Sequence, residues 1–126
     1  MELRRFHRMT YTAPALLTCN NLTYEGRLGN ISLQGALVSA NEGLMVTPGD
    51  RCTVEIHPED AEKPLLMYAE VIHSFYSMVG VKFLLTEEEE ERLYLLLQGI
   101  TPEPDKLKHE WEHVLHGDGQ QGESSA

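Results

Sequence analysis

Leu22-Thr23-Tyr24-Glu25-Gly26-Arg27-Leu28-Gly29-Asn30-Ile31-Ser32-Leu33-Gln34-Gly35-Ala36-Leu37-Val38-Ser39 decides the fold. Leu22 to Leu28 alternates and leads into Gly29-Asn30, and Gly35 to Ser39 resumes as an aliphatic strand, so two strands flank a polar bend. Upstream, Ala15 to Cys19 is an apolar run closed by the turn signal Asn20-Asn21. Downstream, Thr47-Pro48-Gly49-Asp50 makes a tight turn, and Arg51 to His57 alternates with Cys52, Val54 and Ile56 on one face. A polar loop from Pro58 to Pro64 precedes a long apolar, β-branched run from Leu65 to Phe75. Ser77-Met78 reads as a turn, and Val79 to Phe83 as a final strand. Strands of this length and spacing predict a small antiparallel barrel or sandwich, a mainly all-β fold.

The period then changes. Thr86 followed by Glu89 predicts a helix N-cap with a capping box, and Glu87 to Glu91 load the first turn with negative charge. That glutamate run reads as a solvated helix start, because a Ca²⁺ loop needs spaced ligands and a glycine turn. Leu93, Leu96 and Leu97 form one apolar face that can cover a barrel end. Gln98-Gly99 reads as a stop. After Thr101-Pro102-Glu103-Pro104, the stretch Asp105 to His116 predicts a second short helix packing through Trp111, Val114 and Leu115. Residues 117–126, rich in Gly, Gln and Ser, read as a disordered tail. The expected organisation is residues 1–98 as one barrel domain with its helix, 99–116 as an extra helix and 117–126 as tail.

A chain of 126 residues suits one domain. A hydrophobic fraction of 41% supports a packed core. No run is long and apolar enough to span a bilayer or to serve as a signal peptide, so the expectation is a cytoplasmic protein without membrane insertion. Net charge of −10 argues against DNA, RNA and anionic membranes as partners. The charge is uneven: residues 1–30 carry Arg4, Arg5, Arg8 and Arg27 against only Glu2 and Glu25, so the acidic excess belongs to the remainder. Cys19 and Cys52 lie far apart with no C-x-x-C spacing, which indicates neither a redox motif nor a disulfide framework; both read as small core residues.

Two motifs carry chemistry. Arg4-Arg5-Phe6-His7-Arg8 has the form R-x-x-x-R, and Asn30-Ile31-Ser32-Leu33-Gln34-Gly35 the form N-x-S-x-x-G. Guanidinium forks match two phosphate oxygens or the O6/N7 edge of guanine, and stack on bases. Asn30 and Ser32 offer hydrogen-bonding groups that would point the same way on a strand end, and Gly35 permits a turn or a close approach. The pair describes a site for a planar, anionic, guanine-bearing ligand. Taken singly, Asn30 and Ser32 equally suit a turn that bonds its own backbone.

Together these motifs resemble the PilZ domain, a bacterial receptor module for cyclic di-GMP. The aliphatic strand after Gly35, the Pro48-Gly49-Asp50 turn and Val79-Gly80-Val81-Lys82-Phe83 are similar as well, so the likeness spans residues 4 to about 97. The resemblance implies a six-stranded antiparallel β-barrel with a C-terminal helix. It implies that Arg4 and Arg8 lie on an arm before the first strand that closes over the ligand, that Asn30 and Ser32 hold a guanine edge or a phosphate, and that Gly35 shapes the turn. Arg5, outside the pattern, either adds charge to the pocket or faces water. The expected role is a cyclic di-GMP receptor and adaptor, with that dinucleotide as ligand, no cofactor and an unidentified downstream protein partner. The alternative is a PilZ-like interaction adaptor that binds no nucleotide.

His109-Glu110-Trp111-Glu112-His113 spells H-E-x-x-H, with His116 nearby. Two histidines at i and i+4 can bind Zn²⁺ with the glutamate as base, but a catalytic site needs a third ligand and a substrate cleft. The segment follows the closed barrel, with little chain left to build either, so an amphipathic helix is the preferred reading and no metal site is expected. His7 and His73 are isolated. No nucleophile elbow or phosphate loop is present, and no enzyme activity is expected.

Overall fold

The computed structural model describes residues 7–59 and 63–112. Six strands, β1 (Met9–Cys19), β2 (Leu22–Ile31), β3 (Gly35–Ala40), β4 (Arg51–Ile56), β5 (Leu65–Phe75) and β6 (Met78–Phe83), are followed by α1 (Glu87–Ile100) and α2 (Pro104–His109). All strand pairs are antiparallel, in the closed order β1-β2-β3-β6-β5-β4, with β1 and β4 forming the closing seam. The six-stranded barrel with a helix after it is the architecture the motifs imply.

Local chemistry explains the connections. Asn20 (φ 54°) and Asn21 (φ 68°) both occupy the left-handed region and join β1 to β2 in a two-residue turn, the arrangement that matches strand twist. Gly49 (φ 98°) follows Pro48 at the corner of the turn closed by Asp50 N–H donating to the Thr47 carbonyl at 3.0 Å. Asp50 Oδ2 accepts from Thr47 N at 3.0 Å and from Asn20 Nδ2 at 3.3 Å, tying two turns together. These bonds, the Thr47 amide foremost, hold the Asp50 carboxyl below its usual range. The last hairpin turns one residue earlier than expected, through Tyr76 (φ 57°) and Ser77, and Met78 already belongs to β6.

Alternation fills the barrel. Leu17, Leu28, Ile31, Val38, Val54, Ile56, Met67, Val71, Val79 and Val81 all point inward and are fully buried. Leu93 and Leu97 of α1 and Leu107 of α2 join the same core. Thr86 caps α1 with the expected capping box: its Oγ1 accepts from Glu89 N at 3.2 Å and Glu89 Oε1 accepts from Thr86 N at 3.0 Å. The helix runs through Gly99 and ends at Ile100, where Thr101 caps it, because nothing at Gly99 forces a left-handed exit. α2 loosens into a wider turn over residues 110–112, where the described part of the predicted stretch ends. Trp111 stacks on Tyr94, ring centroids 4.4 Å apart and planes 9° from parallel, which fastens this turn to α1. The expected helix continuation through Val114 and Leu115 and the expected tail at 117–126 lie outside the described residues, as do Arg4 and Arg5. No described helix is long and apolar enough to cross a membrane.

Candidate functional site

The second motif is built by an irregularity in β2. Leu28 pairs with Val38 but Asn30 pairs with Leu37, so Gly29 and Asn30 together oppose one residue of β3. Such a bulge re-aims side chains. Leu28 and Ile31 both face the core, three residues apart rather than two, and Asn30 is left half-exposed on the outer surface. Arg8, on the step before β1, reaches it: Arg8 Nη1 donates to Asn30 Oδ1 at 2.7 Å. Among the described residues, the two motifs, 22 residues apart in sequence, therefore meet through one hydrogen bond.

Ser32 is placed differently. β2 ends at Ile31, and Ser32 is fully buried, with 0% exposure, so it does not share Asn30's outward face as the alternation of the motif suggested. Its Oγ accepts from Gln34 N at 3.1 Å and Gly35 N at 3.2 Å, while its own N–H donates to the Gly35 carbonyl at 2.8 Å. The hydroxyl is occupied in shaping the β2–β3 loop, the self-bonded turn that the residue type also allows. Gly35 opens β3 and is buried without a positive φ. Phe83 N–H donates to the Gln34 carbonyl at 2.8 Å, pinning the loop to β6.

Register carries the surface further than the motifs do. Thr10 pairs with Asn30, Asn30 with Leu37, Leu37 with Gly80 and Gly80 with His73, which makes one row across five strands. Shifts of register in β1 (between Thr10 and Ala13), β2 and β5 (between Val71 and His73) all fall on this row. Thr10 and His73 are exposed, and Leu37 is half-buried between them. The His73 ring lies over Gly80, where an added Cβ would come within 2.5 Å of Nε2. Strands are spaced by about 4.8 Å, so the ring sits roughly 10 Å from Asn30. His73 carries no motif signal, and only strand register aligns Leu37, Gly80 and His73 with Asn30.

The arm is also held from the other end of the chain. His7 N–H donates to Glu110 Oε2, so the glutamate of the H-E-x-x-H segment is engaged with the arm's backbone. Glu110 is only 5% exposed; burial raises its carboxyl above the usual range, opposed by the His7 bond and by the charges of His7, Lys106 and His109. Among the described residues, the buried side-chain atoms without a partner are His7 Nε2, Gln34 Oε1 and Glu110 Oε1, all on the arm, the motif loop or the turn that grips the arm. No group of three metal-ligating side chains occurs among the described residues, and His113 and His116 lie outside them. A groove of about 590 Å³ lined by Pro58, Lys63, Leu65, Arg92, Leu95 and Leu96 lies elsewhere and contains no motif residue.

The family model of the PilZ domain matches residues 2–98, and the chain belongs to that family of cyclic di-GMP receptors. Solved structures share the fold. The PilZ domain of CeSA from a cellulose-synthesizing bacterium superposes with a TM-score of 0.64 at 15% identity, covering 75% of this chain and 97% of that one. The PilZ domain of YcgR from Escherichia coli, solved with c-di-GMP, gives 0.61 at 15% identity, covering 90% and 98%. The Bacillus subtilis inhibitor of motility (MotI/DgrA) gives 0.60 at 16% identity, covering 71% of this chain and 47% of that one. No curated protein matches the chain.

Proposed function

We propose that this protein is a cyclic di-GMP receptor whose arginine arm folds onto the ligand at the outer face of the barrel and signals to a protein partner. The observation that carries the reading is the 2.7 Å bond between Arg8 and Asn30, which brings the first motif onto the second. Arg8 is exposed and keeps further N–H donors for phosphate oxygens or a guanine edge. Arg4, one motif step earlier, supplies the second guanidinium, and Arg5 adds positive charge. Asn30 presents an amide to a base edge or a phosphate. Ser32 and Gly35 act by holding the loop that presents Asn30. A dinucleotide with two bases and two phosphates is long enough to run from Asn30 over Leu37 toward His73.

YcgR's PilZ domain was solved with c-di-GMP, which supports the same ligand class here. The partner-facing role is supported by the β5–β6 hairpin. Phe75 is 80% exposed, Tyr76 78% and Met45 77%, and Leu44 N–H donates to the Tyr76 carbonyl at 3.0 Å, which joins the two segments that carry them.

Calorimetric titration of the full chain with cyclic di-GMP tests the reading. Micromolar or tighter binding, lowered roughly 10- to 100-fold in Arg8→Ala, is expected for loss of charge-assisted hydrogen bonds. Absence of heat with the wild-type protein, confirmed by unchanged thermal stability at saturating nucleotide, leaves the nucleotide-free adaptor.

A further inference from the structure

Cys19 and Cys52, far apart in sequence, face each other across the barrel's closing seam: Cys19 of β1 is the register partner of Cys52 of β4. The geometry of the pair follows from the neighbouring hairpin. Asn20 and Asn21 both have positive φ and link Cys19 to its register partner Leu22 in a two-residue loop. Residues flanking such a loop exchange both backbone bonds. A residue's N–H and C=O point to the same side of its strand, so Cys19 spends both on β2. Toward β4 it is therefore a non-hydrogen-bonded pair, the closer kind, with Cα atoms about 4.5 Å apart. That lies inside the window of roughly 4.4–6.8 Å that a disulfide spans. Directly opposed residues also share a face, and both side chains point inward, 2% and 5% exposed.

We propose that Cys19 and Cys52 are an oxidative modification site, forming a reversible disulfide across the β1–β4 seam on exchange with low-molecular-weight disulfides. In the first step the Cys19 thiolate attacks one sulfur of the small disulfide, giving a mixed disulfide at Cys19 and one released thiolate. In the second, the Cys52 thiolate attacks Cys19 Sγ, forms the protein disulfide and expels the other half. Two electrons pass to the small disulfide, and the two thiol protons end on its two released thiols. Burial, with the charges of Cys19 and Asp50 behind it, pushes the Cys52 thiol up to about 12. Burial raises Cys19 too, followed by the Asp50 charge. Both thiols are free, and because thiolates attack and thiols do not, exchange is slow in the closed barrel. Among the described residues, the contacts of the Cys19 thiol are long, 3.5 Å to the Arg51 carbonyl and 4.0 Å to Asp50 Oδ2.

The test equilibrates the full chain in oxidised and reduced glutathione, one sample kept folded and one unfolded and refolded in the same buffer. Alkylation under denaturing conditions, intact mass and peptide mapping follow. The expected result is an intramolecular Cys19–Cys52 peptide with loss of two hydrogens, absent in Cys19→Ser and Cys52→Ser. The oxidised wild-type protein should melt at least about 5 °C higher, because the bridge closes a loop of roughly thirty residues in the unfolded chain. The comparison of oxidised with reduced wild type stands even if a serine variant fails to fold. Glutathione adducts without a cross-link, intermolecular dimers, free thiols in both samples, or a bridge that lowers the melting temperature would each overturn the proposal.

Discussion

Asn30 faces outward because β2 bulges at Gly29, and Ser32 is buried because its hydroxyl holds the following loop. The two residues should therefore respond differently to substitution. Ser32→Ala leaves the Gln34 and Gly35 N–H groups without their acceptor and should cost roughly 1–3 kcal/mol of stability in urea titration. Asn30→Ala should leave stability nearly unchanged while weakening cyclic di-GMP binding. A loss of binding in Ser32→Ala without any loss of stability would speak for direct contact instead. Gly26 is a purely steric position: an added Cβ would stand 2.1 Å from the Ser39 carbonyl oxygen of the neighbouring strand. Gly26→Ala should lower unfolding free energy by about 2–4 kcal/mol, since backbone must move to admit it.

The helices follow the barrel, and the turn after α2 reaches back to His7. Thr86 and Glu89 satisfy each other's backbone donors, a local device read directly from residue types three apart, and Thr86→Ala should cost about 1 kcal/mol. The Glu110 contact with His7 is different, because it spans 103 residues and depends on how α2 packs. Its pH dependence has a definite sign. The folded-state pKa of Glu110 lies above its ordinary value of 4.5, chiefly through burial. Its contribution to stability is full below that ordinary value and is lost as pH rises through the raised one. Wild-type protein should thus lose stability relative to Glu110→Gln as pH climbs from 4.5 toward neutrality, measured by denaturant unfolding of both at each pH. A wild-type minus Glu110→Gln difference independent of pH would remove burial as the cause of the shift.

Across the whole molecule, strand register lines distant residues up into one row on the barrel. The row from Thr10 through Asn30, Leu37 and Gly80 to His73 exists only because β1, β2, β3, β6 and β5 lie side by side in that order. If the ligand lies along that row, His73→Ala should weaken cyclic di-GMP binding several-fold with little effect on stability, read by calorimetry and thermal melting together. Binding should also weaken as salt is raised from low to physiological strength, since the exposed Arg8 charge is screened within a Debye length of about 8–10 Å.

The number of strands, their order along the chain, the turns at Asn20-Asn21 and Pro48-Gly49, the helix start at Thr86 and the family motifs were all set by residues close together in sequence. The chain's own backbone preferences decide such features, so they are legible without partners. Which way Asn30 points, the burial of Ser32, the facing of Cys19 and Cys52, the grip of Glu110 on His7 and the alignment of His73 with Asn30 belong to the tertiary structure alone. Each depends on the register between distant strands or on the docking of a terminal helix. Register is settled by how apolar faces pack and where bulges absorb the barrel's bend, which is a property of all six strands together and of no single stretch.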